Sequence, residues 1–325
     1  RGWTGPGGRP HAETIALNQA GSSSENSNMY ITLEPCNHFG KTPPCVDSII
    51  AAKPNKVIIG SIDPDPRVNG KGIQKLKKAG IEVLVGVLNQ KTDKLNQGFF
   101  KRIKSGIPFI SLKIASSADG KIALSNGISK WITNNNSRKY GHLLRALYDG
   151  IIVGSETVIL DNPNLDCRLN GIESFYNPIK IVIDRRLRIN KDSNIVSKAK
   201  ERETHILTSV KSAIEKKNKL RSLGINIKEF NYDSDDQFND QFVSYLSEIG
   251  VNNVLVEGGP FLITELLKKD LVDKIYLFKS SLILGDDSKS FVKNLNFNSL
   301  SNTIKMKRFK TLNFSDDTLD IYIRK

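Results

Sequence analysis

Two short stretches, HAE at residues 11–13 and LEPCNHFGKTPPC at residues 33–45, decide the fold of the first part of this 325-residue chain. Imidazole nitrogen and thiolate sulfur are ligands that zinc prefers, and a catalytic zinc site keeps its fourth position for water. A nearby carboxylate that is not a ligand can move the proton of that water. The two stretches therefore predict a hydrolytic zinc site with ligands His11, Cys36 and Cys45, in which Glu13 transfers protons.

The spacing of the two cysteines is unusual for such a site. Eight residues separate Cys36 from Cys45, whereas zinc-dependent deaminases use a Cys-x-x-Cys motif. The intervening loop contains a glycine and two consecutive prolines, which suit a tight reversal followed by the start of a helix. An alternative interpretation is a closed zinc site with His38 as the fourth ligand. That alternative is less favoured, because it leaves Glu13 without a role beside an open metal position.

The motif TLEPCNHFGKTPPC at residues 32–45, behind HAE, resembles the bifunctional deaminase–reductase family of riboflavin biosynthesis. The resemblance implies an α/β protein with a cytidine-deaminase-like zinc domain at residues 1–105 and a dihydrofolate-reductase-like domain at residues 106–325. It implies hydrolytic deamination of 2,5-diamino-6-(5-phosphoribosylamino)pyrimidin-4-one. NADPH would then reduce the ribosyl arm of 5-amino-6-(5-phosphoribosylamino)uracil to ribityl. His38 and Lys41 lie in the long zinc loop and are candidate contacts to this substrate.

The resemblance also raises a question about the first domain. Members of the family carry a helix and two strands before the position of Arg1, so the zinc domain is expected to lack its first elements. Two other interpretations remain open. One is a nucleic-acid base deaminase with an accessory domain, which the long zinc loop and the reductase-like second half disfavour. The other is a reductase whose deaminase half is degenerate, which the missing elements keep open.

Composition restricts the class of protein. The chain is 38% hydrophobic and 25% charged, and it has no apolar run long enough for a membrane span. Three cysteines, an odd number, favour a reducing compartment over a disulfide framework. The formal charge of +14 comes from basic residues spread along the chain, which suits phosphorylated small molecules better than nucleic acid. We therefore expect a cytoplasmic homo-oligomer with a small-molecule substrate and with neither a nucleic-acid nor a membrane partner.

Short apolar runs alternate with helical patterns along both halves of the chain. Residues 57–62 and 151–154 read as buried strands, and the alternation predicts largely parallel α/β layers. Residues 90–104 read as one helix that ends before the domain boundary. The polar stretch at residues 231–240 is predicted to be a surface loop.

The second site depends mainly on the resemblance, since the chain contains no G-x-G-x-x-G motif. The turn EGGP at residues 257–260 joins a strand to a helix, where backbone N–H groups can meet a phosphate. The resemblance implies NADPH contacts from Ala115, Trp131, Thr157, Asp161, Gly259, Pro260, Phe261, Leu262, Ile263, Thr264 and Glu265. It implies substrate contacts from Ser129, Arg145, Leu165, Arg168 and Glu257.

Several of these residues have an ordinary structural interpretation as well. Trp131 could be a core aromatic residue instead of stacking on the cofactor. Arg145 has the planar guanidinium that suits a phosphate, but it could lie on a solvated helix face. Lys113 lies at an inward strand position and could pair with Glu257. Arg185 could favour the 2′-phosphate of NADPH, or it could be surface charge.

Overall fold

The computed structural model describes residues 1–40, 42–171, 177–232 and 235–325, with the backbone but not the side chains of residues 6 and 235–239. Contacts divide the chain into two units, Arg1–Gly106 and Ile107–Lys325. Each unit has its own sheet and its own apolar core. Within the described ranges, every helix is too short or too polar to cross a lipid bilayer.

The first unit alternates helices and strands around a parallel sheet with the order β1-β2-β3. Its elements are α1 (Ala12–Ala20), β1 (Asn28–Leu33), α2 (Cys45–Ala51), β2 (Lys56–Ser61), α3 (Lys71–Lys78), β3 (Glu82–Val85), α4 (Asn89–Leu95) and α5 (Gln97–Ser105). The central strand β2 is buried along almost its whole length, as its continuous apolar run predicts.

The single helix predicted for residues 90–104 is wrong, because α4 and α5 are separate helices that meet at Asn96. The side-chain amide of Asn96 donates a hydrogen bond to the carbonyl oxygen of Thr92 at 2.9 Å. The backbone of Asn96 has φ −96° and ψ 10°, outside the helical range, so the helix is interrupted where this local bond forms.

The buried carboxylate of Glu34, directly after β1, connects that strand to α3. It accepts hydrogen bonds from the backbone N–H groups of Asp63 at 3.3 Å, Gly70 at 2.8 Å and Ile73 at 3.2 Å. Gly70 and Ile73 lie at the start of α3, where N–H groups have no partner inside the helix. The carboxylate therefore caps α3 and is stabilised by the positive end of the helix dipole.

A glycine lets α3 approach the segment after β1 closely. A Cβ atom on Gly72 would lie 2.4 Å from the carbonyl oxygen of Pro35, which is closer than any side chain permits. The helix consequently packs directly against the segment that carries Cys36. Apolar side chains of α2, β2 and α3 complete the core beneath it, including Val46, Ile59 and Leu76.

The second unit contains a nine-stranded sheet with helices on both faces. Its first elements are β4 (Phe109–Ser116), β5 (Lys121–Ala123), α6 (Asn135–Leu147), β6 (Gly150–Gly154), α7 (Ser155–Asp161), β7 (Ile179–Ile183), α8 (Asn194–Ser197), β8 (Thr204–Ser209) and α9 (Ile214–Ser222). They are followed by β9 (Asn226–Phe230), α10 (Asp235–Glu248), β10 (Asn253–Val256), α11 (Pro260–Lys268), β11 (Lys274–Lys279), β12 (Lys289–Ser290), β13 (Met306–Phe314) and β14 (Asp317–Arg324).

The strand order of this sheet is β13-β14-β11-β4-β10-β6-β7-β8-β9. Its neighbours from β11 to β9 are parallel, whereas β14 is antiparallel to both β11 and β13. The predicted parallel α/β organisation is therefore confirmed, with an antiparallel pair added at one side. The carboxyl ends of β4, β10 and β6 meet at one edge, where open α/β sheets bind ligands.

The polar stretch at residues 231–240 differs from its predicted structure. Helix α10 begins at Asp235, so the surface-loop prediction is wrong for residues 235–240, while residues 233–234 lie outside the described ranges. Phe242 and Leu246, four residues apart in this helix, are buried against the sheet. Burial of these later residues explains the helix, because their spacing places them on one face.

Strand β13 forms one edge of the nine-stranded sheet and is largely exposed. Lys307, Arg308 and Lys310 are among its exposed residues. Its pairing with β14 is interrupted by a register shift between Arg308 and Lys310. The edge is thus both basic and irregular.

The role of Glu34 as a helix cap can be tested by replacing it with alanine. The buried N–H groups of Gly70 and Ile73 would lose their acceptor, which costs about 1–3 kcal/mol for each group. We expect faster hydrogen exchange at these two amides and a free energy of unfolding of the first unit lower by about 3 kcal/mol.

Glu82→Ala is the matched control, because the side chain of Glu82 is 55% exposed and forms an ion pair with Lys56 at the surface. That variant should lose less than about 1 kcal/mol. Unchanged exchange at Gly70 and Ile73 in Glu34→Ala would show that the carboxylate does not hold the start of α3.

Candidate active sites

The predicted zinc ligands come together in the first unit although they are distant in sequence. His11 immediately precedes α1, Cys36 follows β1, and Cys45 is the first residue of α2. His11 Nδ1 lies 3.1 Å from Cys45 Sγ and 3.5 Å from Cys36 Sγ, and the three ligand atoms lie within 4.8 Å of one another. A nitrogen and a sulfur on one tetrahedral zinc ion are about 3.6 Å apart. The donor set and its spacing therefore fit a zinc ion.

Electrostatics favour a thiolate in this group. A hydrogen bond with the Cys45 side chain, together with His11 and the Cys45 backbone N–H at 3.2 Å, lowers the pKa of Cys36 to about 4. Glu13 lies in the first turn of α1, and burial raises the pKa of its carboxyl group. A carboxylate with a raised pKa can both accept and release a proton nearer to neutral pH.

The zinc loop contains a side chain that remains available to a ligand. Among the described residues, His38 does not belong to the cluster of metal-ligand atoms, which disfavours the closed zinc site with His38 as fourth ligand. Its Nδ1 atom is buried and has no hydrogen-bond partner among those residues. The other candidate in this loop, Lys41, lies outside the described residues.

Asp63 is a candidate site residue that sequence reasoning missed. It is buried just beyond β2, and burial raises its pKa to about 6. The nearby carboxylates of Asp65 and Glu34 raise this pKa further, whereas His38 lowers it. Asp63 could have been found from the sequence, because it closely follows a buried strand. Ligand-binding groups often lie at the carboxyl ends of parallel strands.

The second unit has a cavity of about 540 Å³ at the carboxyl ends of β4, β6 and β10. The predicted residues that line it are Ala115, Ser129, Trp131, Arg145, Thr157, Asp161, Leu165, Arg168, Glu257 and Ile263. The predicted residues that are not among its described lining residues are Gly259, Pro260, Phe261, Leu262, Thr264 and Glu265. The cavity thus brings together all of the predicted reductase residues that lie outside the turn and helix after β10.

The hydroxyl group of Thr264 is used within the protein. It donates a hydrogen bond to the carbonyl oxygen of Pro260 at 2.6 Å and accepts one from the backbone N–H of Lys293 at 2.8 Å. Its side chain is almost fully buried. The Thr264 hydroxyl is therefore already engaged inside the protein, whereas Ile263 of the same helix lines the cavity.

A buried carboxylate, that of Glu257, forms the charged centre of the cavity. It accepts two hydrogen bonds of 2.8 Å from the guanidinium group of Arg145, and the ammonium group of Lys113 lies 3.9 Å away. Burial opposes ionisation of Glu257, but the two cations outweigh it and hold its pKa at about 2. The predicted pairing of Lys113 with Glu257 is confirmed. The solvated helix face considered for Arg145 is wrong, because its side chain is only 15% exposed.

Trp131 lies at the wall of the cavity and is 67% exposed. The interpretation of Trp131 as a core aromatic residue is therefore wrong. The guanidinium carbon of Arg138 lies 4.4 Å from the centre of the indole ring. The ring is held by this cation–π contact and leaves its surface open to a ligand.

Asn164 and Arg138 also line the cavity, and sequence reasoning missed both. The Oδ1 atom of Asn164 is buried without a hydrogen-bond partner among the described residues, so it can accept a bond from a ligand. Asn164 could have been found from the sequence, because it directly precedes Leu165, a substrate contact that the family resemblance implies. Arg138 gave no signal, since a basic residue on a helix is most often solvated.

Comparison with known proteins assigns both units. The family described as RibD C-terminal domain matches residues 108–319, and the family described as cytidine and deoxycytidylate deaminase zinc-binding region matches residues 4–61. RibD of Aquifex aeolicus is 37% identical over 320 residues, which cover 98% of this chain and 86% of that protein. The chain belongs to the RibD family of riboflavin biosynthesis proteins.

Two solved structures with similar folds support the same conclusion. RibD of Acinetobacter baumannii is 32% identical with a TM-score of 0.87, and the match covers 98% of this chain and 86% of that chain. The bifunctional deaminase and reductase of Thermotoga maritima is 32% identical with a TM-score of 0.81 and the same coverage. The predicted cytidine-deaminase-like and dihydrofolate-reductase-like fold classes are confirmed.

This RibD-family chain is a bifunctional enzyme of riboflavin biosynthesis, with a deaminase domain and a reductase domain. Its cofactors are zinc for the deaminase and NADPH for the reductase. The bifunctional interpretation therefore stands over a nucleic-acid base deaminase with an accessory domain and over a reductase with a degenerate deaminase half.

Metal analysis tests the zinc site directly. The protein should contain about one zinc ion per chain, as expected for one set of three ligands. Cys36→Ser and Cys45→Ser should each remove most of it, because a serine hydroxyl is a poor zinc ligand at neutral pH. Cys167→Ser is the matched control, since Cys167 is a buried cysteine in the other unit and should leave the zinc content unchanged. Zinc retained in both ligand variants would contradict the assignment.

Proposed function

We propose that residues 1–105 carry the deaminase and residues 106–325 carry the reductase. The Thermotoga maritima relative is described as a diaminohydroxyphosphoribosylaminopyrimidine deaminase and 5-amino-6-(5-phosphoribosylamino)uracil reductase. The same two reactions are proposed here: hydrolysis of the 2-amino group of the pyrimidinone, followed by reduction of the ribosyl arm to ribityl. The observation that carries this proposal is the presence of a zinc-type donor set in one unit and a charged cavity in the other.

In the deaminase, His11, Cys36 and Cys45 would hold the metal. Zinc bound by one imidazole and two thiolates acts as a Lewis acid and lowers the pKa of a bound water molecule. Glu13 would take a proton from that water and pass it to the departing amino group, which leaves as ammonia. His38 and Lys41 would contact the substrate from the zinc loop. The Nδ1 atom of His38 has no hydrogen-bond partner among the described residues, which supports this role.

The proton transfer by Glu13 can be tested in Glu13→Gln, which keeps the size of the side chain but removes its basicity. We expect zinc to be retained and the rate of ammonia release to fall by about 10² or more, the scale of losing a general acid–base group. Glu25→Gln is a suitable control, because Glu25 is an exposed residue beyond the end of α1. Equal rates for wild type and Glu13→Gln would assign Glu13 another role.

In the reductase, NADPH would lie along the cavity against Ala115, Trp131, Thr157 and Asp161, and its bound nicotinamide supplies a hydride. The backbone of residues 259–265 would follow the cofactor, where the start of α11 offers unpaired N–H groups. The exposed face of the Trp131 ring and the position of Thr157 and Asp161 on α7 support this arrangement.

The substrate would occupy the rest of the cavity, in contact with Ser129, Leu165, Arg168 and Glu257. Glu257 can accept hydrogen bonds from hydroxyl groups of the ribose arm while Arg145 and Lys113 keep it ionised. Reduction of that arm needs a proton as well as a hydride. Burial lowers the pKa of Lys113, which makes its ammonium group a better proton donor.

Arg145 and Arg168 differ in what they can bind. The guanidinium group of Arg145 is engaged by Glu257 and by the carbonyl oxygen of Asp166, so its proposed substrate contact acts mainly through the orientation of Glu257. Arg168 has a side chain that is 61% exposed at the cavity wall. Arg168 is therefore the arginine of this pair that is free to bind the substrate phosphate.

The protein is further proposed to be a cytoplasmic homo-oligomer that acts on small molecules and binds neither nucleic acid nor membranes. The spread of its basic residues along the sequence supports a small phosphorylated substrate over a nucleic-acid surface.

Arg185 provides a test of cofactor selectivity. It follows β7 at the carboxyl edge of the sheet, stacks 5.0 Å from the centre of the Tyr232 ring and donates a hydrogen bond to the Tyr232 carbonyl oxygen. A contact with the 2′-phosphate of NADPH is charge-assisted and contributes roughly 1.5–3 kcal/mol. We expect Arg185→Ala to weaken NADPH binding by this amount and to leave NADH binding unchanged, as measured by fluorescence titration. Arg186→Ala, at the adjacent exposed position, is the control. Equal losses for both cofactors would show that Arg185 does not bind the 2′-phosphate.

A further inference from the structure

His142 lies in the second half of α6 and connects the charged centre of the reductase cavity to Arg168. Its Nδ1 atom lies 3.1 Å from the carbonyl oxygen of Asp166, and its Nε2 atom lies 3.4 Å from a terminal nitrogen of Arg168. The same carbonyl oxygen accepts a hydrogen bond of 3.1 Å from Arg145, which binds Glu257 through its other nitrogens. A continuous hydrogen-bonded chain therefore runs from Glu257 to Arg168.

Two of the neighbours of His142 favour one neutral tautomer. Arginine can only donate hydrogen bonds, so the contact with Arg168 is a hydrogen bond only if Nε2 is the accepting nitrogen of a neutral imidazole. Nδ1 then carries the proton and donates it to the carbonyl oxygen of Asp166, which can only accept. The backbone N–H of Arg168 is also directed at Nδ1, from 3.3 Å, and would need Nδ1 as an acceptor. We assign the proton to Nδ1 because the carbonyl oxygen of Asp166 is nearer, at 3.1 Å, and because Nε2 faces a guanidinium group that can only donate.

We propose that His142 is a positioning residue of the reductase, which in its neutral form holds the guanidinium group of Arg168 in place to bind the substrate phosphate. This inference rests on the proposed role of Arg168 as the phosphate ligand. Arg168 is a long and largely exposed side chain, so fixing it before the substrate binds reduces the entropy lost on binding. The second fixed point is the carboxylate of Asp166, 3.6 Å from Arg168 Nε.

Protonation of His142 would reverse its effect. An imidazolium has an N–H group on both nitrogens, so Nε2 would then place a donor and a positive charge against Arg168. The charges that act on His142 are those of Arg145 on its own helix, Arg168 in the loop after α7 and Glu257 after β10. Asp166 contacts it through the backbone carbonyl oxygen, while the Asp166 carboxylate pairs with Arg168. Burial and the two arginines lower the pKa of His142, so the neutral form predominates at neutral pH.

Three variants of the full-length chain test the proposal, with the KM for the phosphorylated substrate measured at saturating NADPH. His142→Leu removes both hydrogen bonds and should raise KM about tenfold at pH 8, the scale of one hydrogen bond to a charged group, with little change in kcat. His142→Gln keeps one donor and one acceptor and should retain the KM of the wild type at pH 8. Arg168→Gln should raise KM at every pH.

The pH dependence separates positioning from a purely structural role. As the pH falls through the lowered pKa of His142, the KM of the wild type should rise relative to that of His142→Gln, which has no titrating group. Titration of the substrate phosphate itself, near pH 6, is the same in both proteins and cancels in this comparison. Inorganic phosphate is a second probe, and its inhibition constant should follow the same pattern. An unchanged dissociation constant for NADPH shows that each variant is folded.

The outcomes distinguish this inference from the proposed function. If Arg168→Gln leaves KM and phosphate inhibition unchanged, Arg168 is not the phosphate ligand and the proposed function of that residue fails. If Arg168→Gln raises KM but His142→Leu does not, the positioning role of His142 is overturned. Parallel pH profiles for wild type and His142→Gln overturn the protonation effect. A raised KM in His142→Leu that His142→Gln restores supports the proposal.

Discussion

Burial of a carboxylate at the end of a strand is the constraint on which both sites depend. An ionised carboxylate in the interior is tolerated only if nearby donors replace the water it has lost. Glu34 meets this requirement with backbone N–H groups at the start of α3. Glu257 meets it with the cationic side chains of Arg145 and Lys113. In each unit, the elements that supply the donors are thereby fixed relative to the strand that ends at the site.

The two solutions differ in what they make possible. Glu34 is buried and its hydrogen bonds come from backbone N–H groups, so this residue fixes the segment that carries Cys36 and does not itself face a ligand. The pairing of Glu257 is ionic and lies at a cavity wall. Removing one partner of such a pair would leave a charge uncompensated, at a cost of about 3–5 kcal/mol. In the second unit, the same ion pairs therefore stabilise the fold and orient the carboxylate of Glu257 in the cavity.

Sequence reasoning succeeded where chemistry restricts the choice of residue. A histidine and two cysteines have few other uses in such a pattern, and the structure brings His11, Cys36 and Cys45 together. The alternation of strands and helices was predictable for the same kind of reason, since continuous apolar runs are typical of buried parallel strands. The resemblance to a known family contributed most of the cavity residues.

The remaining features depended on particular contacts, local or distant, that residue types alone do not reveal. The break at Asn96 comes from one side-chain hydrogen bond, and α10 depends on residues buried beyond its polar start. The sequence alone allowed two interpretations of Arg145, a phosphate ligand or a solvated residue, because its partner Glu257 is 112 positions away. The exposure of Trp131 likewise depends on which elements surround it, and composition does not encode that arrangement.

The basic, irregular edge strand β13 restricts how two copies of this protein can associate. An unpaired strand edge is normally a template for another strand, and continuous sheets across two molecules arise in this way. Here Lys307, Arg308 and Lys310 would face like charges on a second copy, and the register shift disrupts the row of backbone groups that such pairing needs. Self-association through this edge is disfavoured on both counts, so the charges and the register shift protect the sheet from extension beyond β13.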